Sequence, residues 1–353
     1  MLQEITIDNW RALKDQGKHT TIDVRSPSEF RAASIPGSVN IPLFDDAERA
    51  EIGTLYKQVS VEAAKQRGLE IVSAKLPAFV RAFAAIPGKK TVFCWRGGMR
   101  SKTSATLVSL MGIQASRLTG GYRAYRQWVV DQLAQIEIKP TALVLHGNTG
   151  SGKTRLLRRL AEEGYPVLDL EAMAGHRGSI FGEIGMDAHN QKMFDALLIE
   201  GLLANRNESI MAIEAESRRI GKVILPEAVV AKKEEGIPIV IDLPIQERVK
   251  HIIEDYQPWQ NPEACMNAFK RIKNRIHTPI AHEIQGCLET ERYEAAVEML
   301  LVYYYDPRYA HAAPYMDDRP CYRIQAKNAD EAYSELLGII QRHWGNGSGG
   351  VKG

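Results

Sequence analysis

The chain has 353 residues, 44% of them apolar and 25% charged, with a formal net charge of +2. That length exceeds what one hydrophobic core usually organises, so two domains are expected, and the composition is that of a globular protein and not of a disordered or fibrous one. It contains no run of about 18 uncharged apolar residues, and the opening MLQEITIDNW lacks a basic-then-apolar signal; neither a membrane span nor secretion is indicated, and a cytoplasmic location is expected.

In chain order, residues 20–24 (TTIDV) read as a strand, 27–33 as a helix, 35–37 as a turn and 39–43 as a second strand. A strand over 91–93 ends in Cys94. A helix begins near Arg100, with Ala105, Val108 and Met111 on one face and Gly112 as its stop. After Gly120-Gly121 a helix over 122–136 leads into residues 137–140, the expected boundary. A second alternating series follows, with strands at 142–146, 166–170, 210–214 and 237–243. Residues 244–305 read mainly as helix, 321–325 as an edge strand and 329–344 as a closing helix. The alternation implies parallel sheets, hence an α/β chain with a first domain over 1–136, a linker over 137–140, a second domain over 141–345 and a tail over 346–353, flexible by composition.

The four cysteines, Cys94, Cys265, Cys287 and Cys321, form no Cys-x-x-Cys pair, which argues against a zinc site and a disulfide framework. Cys94 opens the loop Cys94-Trp95-Arg96-Gly97-Gly98-Met99-Arg100-Ser101. A cysteine between a strand end and a helix start meets converging N–H groups and the positive helix terminus, which favour a thiolate. Arg96 and Arg100 add positive charge that favours it further and would hold an anionic donor. This loop resembles that of the rhodanese family, and residues 23–30 (DVRSPSEF), 35–42 (IPGSVNIP) and 120–122 (GGY) match that family's other landmarks over about residues 1–135. Five residues separate Cys94 from Arg100, a spacing shared with cysteine phosphatases, so phosphatase chemistry stays open beside sulfur transfer.

The second loop is Gly147-Asn148-Thr149-Gly150-Ser151-Gly152-Lys153-Thr154, which fits the P-loop pattern GxxxxGK[ST] at every fixed position. Its glycines let backbone N–H groups close on phosphate oxygens, Lys153 neutralises them and Thr154 would support a Mg²⁺ ion. No aspartate ends the later strand. Glu214 or Glu216 replaces it, or the two cap a helix. Asp169, Glu171, His176, Arg177 and Arg218 lie in polar segments after strand ends, where open parallel sheets border their ligands.

A rhodanese domain followed by a P-loop domain with Asp169-Leu170-Glu171, 176–182 (HRGSIFG), 214–221 (EAESRRIG) and 304–309 (YYDPRY) resembles the tRNA 2-selenouridine synthase family over nearly the whole chain. The resemblance implies a two-stage modification of the wobble 2-thiouridine of tRNA. The sulfur is geranylated from geranyl diphosphate, and the S-geranyl group is then replaced by selenium from selenophosphate, with a selenophosphate-producing enzyme as a further partner. On that reading the P-loop stabilises departing pyrophosphate, while Cys94 carries selenium with Arg96 and Arg100 on the donor's phosphate. The prenyl chain would lie along Phe194, Leu197, Leu198 and Leu202, or along Met299, Leu300, Tyr303 and Tyr304, unless these are helix core. Arg155, Arg158 and Arg159, then Arg218, Arg219 and Lys222, then Lys270, Arg271, Lys273 and Arg275 are basic groups for the tRNA, and Trp95 would stack on a base or pack. The competing readings are a rhodanese-like sulfurtransferase or phosphatase fused to a nucleotide kinase, and a redox-sensing RNA binder.

Overall fold

The computed structural model describes residues 2–17, 19–310 and 321–344, so the tail expected at 346–353 lies outside the described residues. The chain divides into two compact units, residues 1–135 with 195–199, and residues 136–194 with 200–353. Both are built on all-parallel five-stranded sheets, as the alternation of strands and helices requires. Among the described residues no helix is long and apolar enough to cross a membrane.

The first unit holds β1 (Gln3–Ile5), β2 (His19–Asp23), β3 (Val39–Asn40), β4 (Lys89–Phe93) and β5 (Ala115–Leu118), in the order β1-β5-β4-β2-β3. β3 is shorter than the strand expected at 39–43. The chain still runs beside β2, with Ile41 N–H on the Asp23 carbonyl and Leu43 N–H on that of Val24, but Pro42 has no N–H to extend the ladder. Residues 44–88, to which no element was assigned from sequence, fold into two helices, Asp46–Gln58 and Val61–Ala84. Their apolar faces join Ile22, Val24, Val92, Ala105 and Val108 in the core.

At the end of β2, Asp23 and Arg25 form an ion pair that is almost fully buried. Arg25 Nη2 donates to Asp23 at 2.6 Å and to the Ala33 carbonyl at 2.7 Å, and its guanidinium lies 4.3 Å from the Tyr122 ring centre. A buried pair survives only when its hydrogen bonds are satisfied in this way. Here it ties β2 to the turn before β3 and to the start of the helix Gly121–Gln135.

The second unit holds β6 (Thr141–His146), β7 (Val167–Leu168), β8 (Ile210–Glu214), β11 (Ile237–Asp242) and β12 (Tyr322–Gln325), in the order β12-β11-β6-β8-β7. Between β8 and β11 lies a small antiparallel hairpin, β9 (Arg219–Ile220) with β10 (Val223–Ile224). The strand expected over 166–170 stops at Leu168 because the Asp169 side chain accepts from Ala172 N–H and starts a helix, Leu170–Ala174. Beyond β11 the chain is helical, through Ile245–Tyr256, Pro262–Lys270, Thr278–Glu289 and Tyr293–Leu300 to a wide π turn over Leu301–Tyr305. The closing helix, Ala329–Trp344, packs Leu336 and Ile340 into the core of Leu143, Leu145, Leu156 and Ile241.

Gly121 faces the tightest backbone approach in the first unit. Its φ is +59°, and a Cβ there would stand 2.2 Å from the Cys94 carbonyl. Gly121→Ala is expected to cost roughly 2 kcal/mol or more through strain and displacement. Thermal denaturation checks this, and a variant melting with the native protein would contradict the packing described.

Candidate active site

Cys94 follows β4 and is 3% exposed, with its Sγ 3.2 Å from the Ser101 hydroxyl. The loop is closed by backbone contacts. Tyr122 N–H donates to the Cys94 carbonyl at 2.8 Å, Arg123 N–H to that of Trp95 at 2.9 Å, and Arg117 Nη1 to that of Gly97 at 2.8 Å. Gly97, at φ +64°, leaves no room for a side chain against the Leu118 carbonyl. Gly98 then begins the helix Met99–Leu110, whose N-terminal N–H groups cap the loop.

The two loop arginines differ. Arg96 is exposed, whereas Arg100 makes a two-point ion pair with Glu29, at 2.5 Å and 3.2 Å. Glu29 was not singled out from sequence. That pairing partly neutralises the second of the two cations expected to hold an anionic donor. Trp95 is 38% exposed with its ring centre 5.6 Å from that of Tyr122, so it packs on one face and is open on the other. Met99 is exposed.

The P-loop joins β6 to the helix Lys153–Glu162. Gly147, Gly150 and Gly152 all have positive φ, and at Gly150 a Cβ would meet the Arg248 carbonyl at 2.8 Å. The Asn148 carbonyl accepts from Ser151 N–H at 3.0 Å, and Lys153 Nζ donates to the Gly147 carbonyl at 2.9 Å. Two residues not anticipated from sequence brace the loop from the helix Ile245–Tyr256. Arg248 Nε donates to the Thr149 carbonyl at 2.9 Å, and His251 Nδ1 to that of Gly150 at 2.9 Å. Arg248 also grips Asp306 through both terminal nitrogens, at 2.9 Å and 2.6 Å. Asp306 belongs to the 304–309 segment, so its carboxylate has a defined partner at the phosphate loop.

Thr154 carries the unusual chemistry. Its Oγ1 lies 2.9 Å from Glu171 Oε2 and 2.7 Å from Glu214 Oε1. A hydroxyl has one proton to donate, so one of the two contacts is made by a protonated carboxyl. Burial and then the neighbouring Glu216 push Glu171 up to about 7. Glu214, fully buried at the end of β8, is raised well above the usual carboxylate range by burial and then by Glu171. Glu214 thus takes the strand-end position, while Glu216 reaches the cleft against Gly178. No helix starts at either residue, which removes the capping alternative. Thr154, Glu171 and Glu214 form an all-oxygen set that suits a hard divalent cation.

Lys153, Thr154, Glu171, Arg177 and Glu216 line a polar cleft of about 140 Å³ with Thr149 and Arg155. Arg177 is fixed there by the Ile184 carbonyl at 2.6 Å, the Asp255 carbonyl at 2.7 Å and the Tyr256 ring. The other sequence candidates sit elsewhere. Asp169 caps its helix, and Arg218 is exposed and paired with Glu227. His176 is 7% exposed, with its ring against Gly182 and Gly221, where a Cβ would come within 2.7 Å and 2.6 Å. It accepts from Gly178 N–H and acts as a packing clamp.

An apolar slot adjoins the cleft, and Thr149, Ser179, Ile252, Tyr256 and Tyr305 line both. Phe181, Tyr293, Val297 and Leu300 continue its wall. Of the two stripes considered from sequence, Phe194, Leu198 and Leu202 are buried core; in the other, Leu300 lines the slot, Tyr304 is buried and Tyr303 is exposed. The basic groups also separate. Arg155, Arg158, Arg159, Arg218 and Lys222 all have acidic partners, whereas Lys270, Arg271 and Arg275 are exposed without one among the described residues.

A family model for the tRNA 2-selenouridine synthase AAA domain matches residues 140–278, and one for the rhodanese-like domain matches residues 6–127. The chain is 32% identical to a tRNA 2-selenouridine synthase of Nitrosomonas europaea, over 86% of this chain and 91% of that one. It is 36% identical to a tRNA 2-selenouridine synthase of Bdellovibrio bacteriovorus, over 67% and 64% respectively. A crystal structure of a rhodanese-related protein from Thermoplasma volcanium, 20% identical, covers 36% of this chain and 92% of its own, with a TM-score of 0.22.

Protonation of Glu171 has a measurable effect on stability, with a defined sign. Glu171 is near 4.5 when unfolded and about 7 when folded, so its contribution to stability is fully present below 4.5 and lost as pH rises through 7. His146, lowered to about 4 by burial and then by Lys153, acts in the opposite sense below 6.5. A difference measurement isolates the glutamate. The melting temperature of the native protein minus that of Glu171→Gln is expected to fall between about pH 5 and about pH 8. A flat difference would contradict a carboxyl held protonated at Glu171.

Proposed function

The chain belongs to the tRNA 2-selenouridine synthase family, whose members are tRNA-modifying enzymes, and from that premise we propose that it prenylates a 2-thiouridine of tRNA and then exchanges the prenylated sulfur for selenium. The observation that carries the first stage is the continuity of the polar cleft at Lys153 with the apolar slot beyond Thr149. Geranyl diphosphate has that shape, an anionic head on a ten-carbon apolar chain. The slot is narrow, about 50 Å³, so the chain enters it by displacing lining side chains.

With the diphosphate on the P-loop, the thiocarbonyl sulfur of the base attacks C1 of the allyl group. The C–S bond forms as the C–O bond breaks, pyrophosphate leaves and the base loses its N3 proton. Backbone N–H groups and Lys153 stabilise the charge that grows on the leaving oxygens, and the apolar slot shields the allylic carbon from water. Thr154, Glu171 and Glu214 would hold a divalent cation, which would supply further positive charge beside the leaving group. The exposed Lys270, Arg271 and Arg275 suit an RNA backbone.

In the second stage selenium from selenophosphate adds at C2 of the alkylated base and geranylthiol departs as the C–S bond breaks; phosphate is released as water takes the P–Se bond. Cys94, at the base of an anion-binding loop with Arg96 exposed beside it, is the residue suited to this stage: its thiolate takes the phosphoryl group from selenium and passes it to water, so that selenium reaches C2 without a change of oxidation state. A nucleotide-kinase reading would use the same P-loop but would leave the apolar slot without a ligand.

Two variants separate the stages. Lys153→Ala is expected to slow geranyl transfer roughly 100-fold while pre-geranylated tRNA is still selenated. Cys94→Ser is expected to geranylate thiolated tRNA but to insert no selenium. Nucleoside mass analysis reads both. Loss of both stages in a folded Cys94→Ser protein, or full selenation by it, would contradict the division of labour.

A further inference from the structure

The first unit carries a large groove that none of the chemistry above uses. It runs between the helices Asp46–Gln58, Val61–Ala84 and Met99–Leu110 and has a volume of about 1020 Å³. Its floor is apolar, built by Phe44, Ile52, Val72, Leu76 and Leu107. At its mouth Tyr56 is 60% exposed, Leu69 65% and Met99 61%. Exposed apolar side chains gathered at the mouth of an apolar groove suit a ligand with an apolar part.

Two features narrow the occupant. The rim carries Arg49, Lys57, Lys65 and Arg100 with no acidic residue among the lining groups. Arg49 and Arg100 share Glu29, but Lys57 and Lys65 have no acidic partner among the described residues. The groove therefore suits an apolar chain attached to an anion. It is also continuous with the cysteine loop, because Met99 and Arg100 belong to both.

We propose that this groove binds the prenyl chain of the S-prenylated tRNA base, holding that chain in the first unit while the base faces Cys94. The proposal rests on the two-stage reading above and adds a second, separate prenyl site to it. The substrate of the second stage is an RNA bearing a ten-carbon apolar chain, and burying that chain beside Cys94 removes it from water and distinguishes prenylated from unprenylated RNA. Lys57 and Lys65 then meet the phosphates that flank the base.

The test uses the full chain and two labelled anticodon stem-loops, one with 2-thiouridine and one with S-geranyl-2-thiouridine, titrated by fluorescence anisotropy. The protein is expected to prefer the geranylated stem-loop. Leu69→Glu and Tyr56→Glu, both at exposed positions and each checked for a native melting temperature, are each expected to weaken that preference about tenfold, the scale of one large apolar contact. Leu69→Met, which keeps an apolar side chain there, is expected to retain it. Unchanged preference in both glutamate variants would overturn the proposal. So would a dimer of the native protein that Leu69→Glu dissociates without altering RNA preference, since the groove would then cover a second copy. Geranyl transfer by the native protein, measured on the same samples, keeps the two readings apart. Its absence contradicts the first stage, whereas intact transfer with unchanged preference contradicts the groove alone.

Discussion

Arg248 sits where three parts of the second unit meet, and the arrangement of that unit depends on it. Its side chain is 6% exposed, its Nε holds the Thr149 carbonyl of the P-loop, and its two terminal nitrogens hold Asp306. A buried guanidinium is tolerated only when its donors are satisfied, and removing one partner would leave the charge uncompensated. The ion pair thus fixes the helical segment after β11 against the phosphate loop. Tyr305 precedes Asp306 in the chain and Ile252 lies one turn past Arg248 on its helix; both line the polar cleft and the apolar slot. The shared wall between the two cavities follows from that single anchor.

Each unit solves the same problem at its active loop. An anion has to be held where a parallel strand ends and a helix begins, and the backbone there must turn sharply enough for its N–H groups to converge. Glycines at positive φ supply the turn, Gly97 in one unit and Gly147, Gly150 and Gly152 in the other. What differs is the reacting group beside the cradle. On the proposed function Cys94 is a polarizable nucleophile and Lys153 a fixed cation for a leaving group. The carboxyls behind Thr154 extend this contrast, because Glu171 and Glu214 are both pushed toward the protonated form by burial.

The parts legible in the sequence were those with local signatures. Strands ending at Cys94 and at His146 were visible as apolar runs into glycine-rich loops, and β8 and the closing helix have the expected bounds. The family followed from motifs whose residues are contiguous. What stayed hidden depends on contacts between distant residues. Glu29 meets Arg100 across 71 positions, and Arg248 meets Thr149 across 99. No spacing rule announces such pairs. The same limit applied to His176, whose motif suggested substrate contact, because only the packed structure brings Gly182 and Gly221 onto its ring. Of the prenyl linings weighed against helix core from sequence, Phe194 and Leu198 are core whereas Leu300 lines the slot, which several helices assemble.

On the proposed function the P-loop serves an allylic diphosphate and not a nucleotide. The measurement that reaches it most directly is nucleoside mass analysis of thiolated tRNA incubated with freshly purified protein and geranyl diphosphate, with ATP omitted. S-geranylated nucleoside is expected in full yield without ATP, with no tRNA-stimulated ATP hydrolysis when ATP is supplied instead. A product that forms only with ATP, or a tRNA-stimulated ATPase that Lys153→Ala abolishes, would contradict it.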